Sequence, residues 1–205
     1  MDLNVWFAFA VAATLLLMIP GPTVALVASY ALGAGRRSAM QTVPGVALGD
    51  LTAMSVSLAG AGAILATSAT AFTVLKLSGA AYLVWMGIGL WRSTPEGFAQ
   101  PRALSGRRMF WNSYVVTALN PKGIVFFIAF VPQFVDPNRP ILTQFVILTA
   151  TFVLLAAINA AMWAVLFGEM RDRLGRPGVL RWLTRIGGSC LIAAGCATAL
   201  ARRVA

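Results

Sequence analysis

Residues 15–27 read LLLMIPGPTVALV and lie in the middle of residues 5–34, a run without any charged side chain. A continuous helix of that length would extend for about 45 Å, whereas the hydrocarbon core of a bilayer is about 30 Å thick. Proline lacks a backbone N–H and clashes with the preceding turn, so Pro20 and Pro22 on either side of Gly21 should interrupt the helix. The stretch therefore predicts one discontinuous transmembrane span.

The whole chain has the composition of a membrane protein. It contains 205 residues, of which 59% are hydrophobic and 11% are charged, whereas a soluble domain carries about a quarter charged residues. One crossing needs about 20 apolar residues, so the chain has room for about six crossings. We predict an all-α polytopic membrane protein with a single transmembrane domain over residues 1–205.

Six apolar segments follow one another along the chain. They are residues 5–34, 43–67, 71–91, 109–135, 141–167 and 179–200. The fourth contains a second helix breaker, Asn120-Pro121-Lys122, whose proline suits the first turn of a new half-helix. We therefore predict six transmembrane helices, with helices one and four broken at Pro-containing motifs.

The two halves of the chain look related at an offset of 109 residues. Lys76 and Arg185 each stand three residues before a glycine, and the same offset relates Asp50 to Asn159. Three spans per half would make the second half inverted, and inverted repeats with matching broken helices point to a transporter's midplane binding site. The predicted units are repeat one over about residues 1–92, a cytoplasmic linker over about 93–108, and repeat two over about 109–205.

The basic residues are distributed unevenly between the gaps that separate the segments. The gaps after segments one, three and five contain Arg36, Arg37, Arg92, Arg102, Arg107, Arg108, Arg171, Arg173 and Arg176. The positive-inside rule places those gaps in the cytoplasm and both termini in the periplasm. The net charge of +10 is accounted for in this way, and no nucleic-acid-binding module accompanies it.

Asp50 is the acidic residue with the strongest claim to function. It lies inside the second segment, where a carboxylate costs about 2.5–3.5 kcal/mol on insertion scales. Such a group usually persists because it faces a cavity or a partner and serves ion or substrate movement. The alternative is a structural ion pair or a position near the helix end.

Lys122 follows the second breaker directly. It would stand beside the positive end of a half-helix, where free N–H groups, the helix dipole and the ammonium could bind a carboxylate. The alternative is that Lys122 only neutralises Asp50. The first breaker, Pro20-Gly21-Pro22, would likewise expose backbone groups, which are tolerated at membrane depth only where protein or a wet cavity satisfies them.

Four further polar residues could support such a site. Lys76 and Arg185 lie near the ends of their segments, so the simpler interpretation is that they reach the interface. Asn112 and Asn159 could form interhelical hydrogen bonds or line a pore. Most tryptophans fall near predicted segment ends, as interfacial anchors do.

Several chemistries have no support in the sequence. The chain has no histidine, which argues against a metal site and a Ser-His catalytic pair. It has no Walker phosphate-binding loop, and Cys190 and Cys196 are too far apart on one helix for an unstrained disulfide. We therefore predict no cofactor, no metal and no enzymatic activity.

The ordered set of motifs resembles the LysE/RhtB family of amino-acid exporters. The set consists of Pro20-Gly21-Pro22, Gly45-x-x-x-Gly49-Asp50, Lys76-x-x-Gly79-Ala80-x-Tyr82-Leu83-x-x-x-Gly87 and Asn120-Pro121-Lys122. The resemblance covers almost the whole chain and implies efflux of amino acids across a bacterial inner membrane, driven by the proton gradient. It also implies that Asp50 and the residues of the two breakers are the functional positions.

Our leading hypothesis is a proton-coupled exporter with alternating access. The substrate carboxylate would meet Lys122, and its ammonium would meet Asp50 or carbonyl groups at the first break. The alternatives are a structural or assembly protein, a passive channel, and an exporter of a different small solute or cation. The expected partners are the amino acid, the proton and the lipid bilayer, and a homo-oligomer is compatible with the small-residue helix faces.

Overall fold

The computed structural model describes residues 1–67, 69–92, 105–169 and 177–200, which are almost entirely helical and include no β-strand. The helices are α1 (Leu3–Met18), α2 (Pro22–Ala34), α3 (Arg36–Ala39), α4 (Val43–Thr67), α5 (Ala69–Arg92), α6 (Gly106–Ala118), α7 (Pro121–Ala129), α8 (Ile141–Glu169) and α9 (Pro177–Leu200). Short 3-10 helices cover Met40–Thr42 and Val131–Phe134. The predicted all-α class is confirmed, and residues 93–104 of the predicted linker lie outside the described residues.

Both predicted helix breaks are present. The axes of α1 and α2 differ by 54°, and α6 makes an angle of 44° with the helical stretch that begins at Pro121. In each case the second helix begins with a proline at its first position, where the missing N–H has no helical partner to lose. Spans one and four are therefore discontinuous, as predicted.

Two helical stretches among the described residues are long and apolar enough to cross a membrane without a break. They are Arg36–Gly60 and Ile141–Glu169, and the two bent pairs raise the number to four when each pair is counted as one span. Helix α5 contains a shorter apolar stretch, Leu77–Gly89. The chain is thus a polytopic membrane protein, while the arrangement of six spans in two inverted repeats stays a prediction.

Glycines bring α4 and α6 into direct contact. A Cβ atom at Gly45 would lie 2.3 Å from the carbonyl oxygen of Phe110, and one at Gly49 would lie 2.8 Å from Cβ of Thr117. Because real Cβ atoms do not approach other atoms so closely, these positions accept no larger residue without movement of α6. The Gly45-x-x-x-Gly49 motif therefore forms a close helix contact within the chain, and it fixes Asp50 beside the second broken span.

Helices α5 and α9 form a second glycine-mediated pair and run antiparallel. A Cβ at Gly87 would lie 2.6 Å from the carbonyl oxygen of Gly188, and a Cβ at Gly188 would lie 2.5 Å from that of Gly87. At the same end of the pair, Nε1 of Trp91 donates to the hydroxyl of Ser189 over 2.9 Å. This pair forms one side of the molecule.

The remaining helices bury two apolar clusters. The phenylalanine cluster is built on Phe9, Phe126, Phe127 and Phe152 with aliphatic neighbours from α1, α4 and α8. The tyrosine–tryptophan cluster contains Tyr30, Trp163 and Phe167 together with valines and alanines of α2, α4 and α8. The polar residues described next lie between the two clusters.

Candidate functional site

The two breaks meet through the side chain of Lys122. Its Nζ atom donates to the carbonyl oxygens of Leu16 (3.2 Å) and Ile19 (2.9 Å) at the end of α1. The last carbonyl groups of a helix lack partners within the helix, and a cation is favoured at that negative end of the dipole. Lys122, which is only 7% exposed, therefore caps a helix that precedes it by about a hundred residues.

The sequence predicts that Lys122 stands at the beginning of the half-helix, and it lies in the first turn of α7. Its ammonium, however, makes its hydrogen bonds at the end of α1 and not at the N-terminus of α7. Its backbone N–H donates to Oδ1 of Asn120 over 3.1 Å, which caps α7 as Asn commonly does. The physical reason is that an ammonium has donors and no acceptor, and a helix N-terminus also presents donors, whereas the end of α1 presents acceptors.

Gly21 provides the space through which the lysine passes. A Cβ atom there would lie 3.3 Å from Nζ and 3.4 Å from Cε of Lys122. Gly21 has φ −140° and ψ −170°, an extended conformation that any residue can adopt. The sequence therefore needs glycine at this position for room, and not for backbone freedom.

Asn120 connects the second break to the first. Besides capping α7, it donates from Nδ2 to the hydroxyl of Thr23 over 3.2 Å. The hydroxyls of Thr23 and Thr117 are 3.2 Å apart and share a further hydrogen bond. Thr23 lies in the first turn of α2 and Thr117 in the last turn of α6, so one small network joins both interrupted spans.

Asp50 lies near this network but forms no hydrogen bond with it. The residue is 7% exposed, and among the described residues no hydrogen-bond donor or cation pairs with its carboxylate. The ion pairs found in the described part of the chain are Arg36–Glu169 and Arg139–Asp136, both at exposed positions. Asp50 instead lines a narrow cavity together with Lys122.

The cavity is polar at its centre and apolar on both sides. It is lined by Leu16, Leu17, Thr23, Val24, Val27, Val46, Asp50, Asn120, Lys122, Gly123, Phe152, Ala156, Asn159, Ala160 and Trp163. These residues enclose about 470 Å³ including the open mouth, of which the interior has room for only about two or three water molecules. The conformation is therefore nearly closed around its polar groups.

Asn159 belongs to the cavity wall and also braces it. Its Nδ2 atom donates to the carbonyl oxygen of Leu17 over 3.0 Å, close to the carbonyl groups that Lys122 binds. The two predicted roles, interhelical hydrogen bond and pore lining, are thus combined in one residue. The end of α1 is held from α7 and from α8.

Other predicted residues lie elsewhere. Asn112 donates to the hydroxyl of Tyr30 over 2.9 Å and does not line the cavity, and the exposed Arg185 lies 5.2 Å from the centre of the Trp91 ring. The side chain of Lys76 lies outside the described residues. The prolines of the two breaks, Pro20, Pro22 and Pro121, shape the cavity without lining it.

Sequence reasoning missed two residues of the site. Thr23 could have been found because a hydroxyl directly after Pro22 falls in the first turn of the new half-helix. Trp163 could have been found from helical spacing, since it follows Asn159 by four residues and therefore shares its face of α8.

Discontinuous helices that meet around buried polar groups are a common feature of membrane transporters. The chain belongs to the LysE type translocator family, whose model matches residues 14–202. This membership confirms the resemblance seen in the motifs. It also supports the prediction that the chain is not an enzyme, because members of this family are transporters.

Individual relatives cover most of the chain. It is 31% identical to a homoserine/homoserine lactone efflux protein of Salmonella typhimurium over 199 residues, 96% of this chain and 97% of the relative. It is 32% identical to a leucine efflux protein of an Enterobacter species, covering 75% and 74%, and 32% identical to an uncharacterized membrane protein of Vibrio cholerae, covering 98% and 100%. No solved structure matches the chain. In its coarse form the predicted function, an exporter of amino acids or their derivatives, is supported.

Proposed function

We propose that this protein is a proton-coupled secondary exporter of amino acids or close derivatives in the bacterial inner membrane. Its six spans would form two inverted repeats over the single domain of residues 1–205, with both termini in the periplasm. The substrate would bind in the cavity between the two breaks. The observation that carries this proposal is the unpaired carboxylate of Asp50 in the same cavity as the ammonium of Lys122.

Asp50 is the group best suited to bind the substrate ammonium. A carboxylate removed from water without a partner is unfavourable, and a cationic amine would satisfy it. The carbonyl groups at the end of α1 are less suitable than expected, because Lys122 already occupies those of Leu16 and Ile19. The first break therefore contributes to amine binding mainly by its shape.

The substrate carboxylate has two donors nearby. An ammonium has three N–H groups, and two of those on Lys122 bind the end of α1, which leaves one for the substrate. Thr23 adds a hydroxyl at the beginning of α2, where the helix dipole favours an anion. A zwitterion would thus lie between Asp50 and Lys122 with its charges complemented at both ends.

Coupling to protons follows from the same arrangement. When Asp50 takes up a proton it loses its charge and with it the attraction for the substrate amine. A proton arriving from one side would therefore release the substrate, and deprotonation on the other side would restore the site. The two apolar clusters on either side of the cavity would act as alternate barriers to water.

Efflux from cells that express Asp50→Asn tests the proposal. At equal protein abundance, we expect these cells to lose the proton-dependent export of preloaded amino acids, because the amide neither titrates nor balances an ammonium. Asp136→Asn is the matched control, since it removes a carboxylate that pairs with Arg139 on the surface. Undiminished, still proton-dependent efflux from Asp50→Asn would remove Asp50 from the mechanism.

Purified protein in liposomes separates the proposal from its alternatives. An exporter accumulates the amino acid against its own gradient when a proton gradient is imposed, whereas a passive channel only equalises concentrations. A structural or assembly protein would give no flux. Either of the last two results, obtained with folded protein and a panel of amino acids, would contradict the proposed function.

A further inference from the structure

Trp163 carries a polar atom that the fold leaves without a partner. Its indole Nε1 is enclosed, and no described residue accepts its hydrogen bond. Other tryptophans differ in this respect, since Nε1 of Trp6 donates to the hydroxyl of Thr151 over 3.0 Å and that of Trp91 donates to Ser189. The side chain of Trp163 is 6% exposed and is part of the cavity wall.

An enclosed donor without an acceptor is unfavourable and unusual. Folded proteins pair the great majority of such groups, and each exception needs an explanation. The hydrocarbon region contains no water to relieve it, and the enclosed Nε1 is closed off from the few water molecules that the cavity could hold. The packing of the ring alone does not require an indole, since its parallel stacking on Phe167, with ring centres 5.3 Å apart, is available to any flat aromatic side chain.

The neighbouring wall of the cavity offers no acceptor side chain. On α2 and α4 the lining residues at this end are Val24, Val27 and Val46, and on α8 the residue beside Trp163 is Ala160. The polar residues Thr23, Asp50 and Asn159 lie about one helical turn from Val27, Val46 and Trp163 along α2, α4 and α8, and Thr23 is already bonded to Asn120 and Thr117. This end of the cavity is therefore an apolar surface with a single donor.

We propose that Trp163 is a specificity-determining residue, whose indole N–H donates to an oxygen atom on the side chain of the transported solute. This inference rests on the proposed function and adds the kind of side chain that the site selects. The zwitterionic group of the substrate lies between Asp50 and Lys122, and its side chain extends along the valines towards Trp163. The cavity widens to admit the solute, and the acceptor that the closed form lacks is then supplied.

Pairs of isosteric amino acids provide the test. Homoserine and norvaline differ by a hydroxyl in place of a methyl group, as do threonine and valine. We expect the wild-type protein in liposomes to export the hydroxyl-bearing member of each pair faster. Trp163→Phe should lower this preference about fivefold, as expected for one neutral hydrogen bond, because export of the hydroxyl compounds falls more than export of the aliphatic ones.

A control variant and a second substitution at position 163 complete the test. Trp111→Phe is the control, because Trp111 is 49% exposed and does not line the cavity. If Trp163→Phe does not fold, β-(3-benzothienyl)alanine at position 163 keeps the shape of the indole and replaces its N–H with sulfur. It should lower the preference to the same extent.

The possible outcomes separate the two proposals. An unchanged preference, or an equal loss of export for both members of a pair, overturns the role of Trp163 and leaves a packing residue. A wild-type protein that exports amino acids without distinguishing the pairs also overturns it, while the proposed function stands. Wild-type protein that exports no amino acid contradicts the proposed function itself.

Discussion

The two breaks cap the helices that follow them by different means. At the first, Gly21 caps α2 without any side-chain hydrogen bond, and the break contributes backbone groups and empty space. At the second, Asn120 caps α7 with its side chain, and Asn120 and Lys122 both extend to the first break. The first break therefore provides mainly acceptors and space, whereas the second break provides the side chains that connect the two.

This difference teaches that the two halves are not interchangeable even if they share an origin. Lys122 binds carbonyl groups of α1, but the first break contains no basic residue that could bind α6 in return. Apart from the hydrogen bond between the hydroxyls of Thr23 and Thr117, the polar contacts run from side chains of the second break to the first break. Substitutions at the second break should therefore be more damaging than substitutions at the first.

The largest effect is expected for Lys122→Met. It leaves the carbonyl group of Ile19 without its donor and that of Leu16 with only the backbone N–H of Ile19, and an unsatisfied buried group costs about 1–3 kcal/mol. We expect a marked fall in the midpoint of thermal unfolding in detergent and no measurable export. Adding Asp50→Asn to Lys122→Met should recover part of the stability, because it removes the remaining buried charge, but no export. A double variant no more stable than Lys122→Met would show that the two charges do not interact.

An intermediate effect is expected for Asn120, whose two roles can be separated. Asn120→Ser keeps a neutral oxygen that can cap α7 but removes the amide N–H that reaches Thr23, whereas Asn120→Ala removes both. Loss of a cap costs about 1 kcal/mol, so the alanine variant should be the less stable of the two in the same unfolding assay. Thr23→Val tests the contact from the other side. Equal stability of Asn120→Ser and Asn120→Ala would assign the whole effect to the contact with Thr23.

The smallest effect is expected at the first break, for Gly21→Ala. The added methyl group would lie 3.3 Å from Nζ of Lys122, so the flexible lysine must shift by a few tenths of an ångström. We expect a folded protein with export slowed severalfold. Gly89→Ala in α5 is the matched control, because its methyl group would meet no atom within 4 Å and Gly89 does not line the cavity. Equal export rates for the two alanine variants would show that the space beside Lys122 is not needed.

The fold was predictable where local chemistry decides it. Two prolines around a glycine, and a proline directly after an N-capping asparagine, end one helix and begin the next for local reasons, so the breaks at Pro20–Pro22 and at Pro121 could be located from the sequence. The partner of Lys122 could not, because it is set by how α7 lies against α1, about a hundred residues earlier. The unpaired state of Asp50 is likewise a property of the assembled cavity. Trp163 illustrates the same limit, since an orphan donor is recognisable only when its surroundings are known.

The glycine contacts between α4 and α6 have a mechanical consequence. Backbones this close cannot slide past each other without collision, so Asp50 and the beginning of the second break should travel as one rigid body. In the proposed transport cycle, reorientation towards either side of the membrane would then take place at a more flexible contact. The hydrogen bonds from Lys122 to the end of α1 form such a contact, because the flexible lysine side chain can exchange one carbonyl acceptor for another while α1 moves relative to this rigid body.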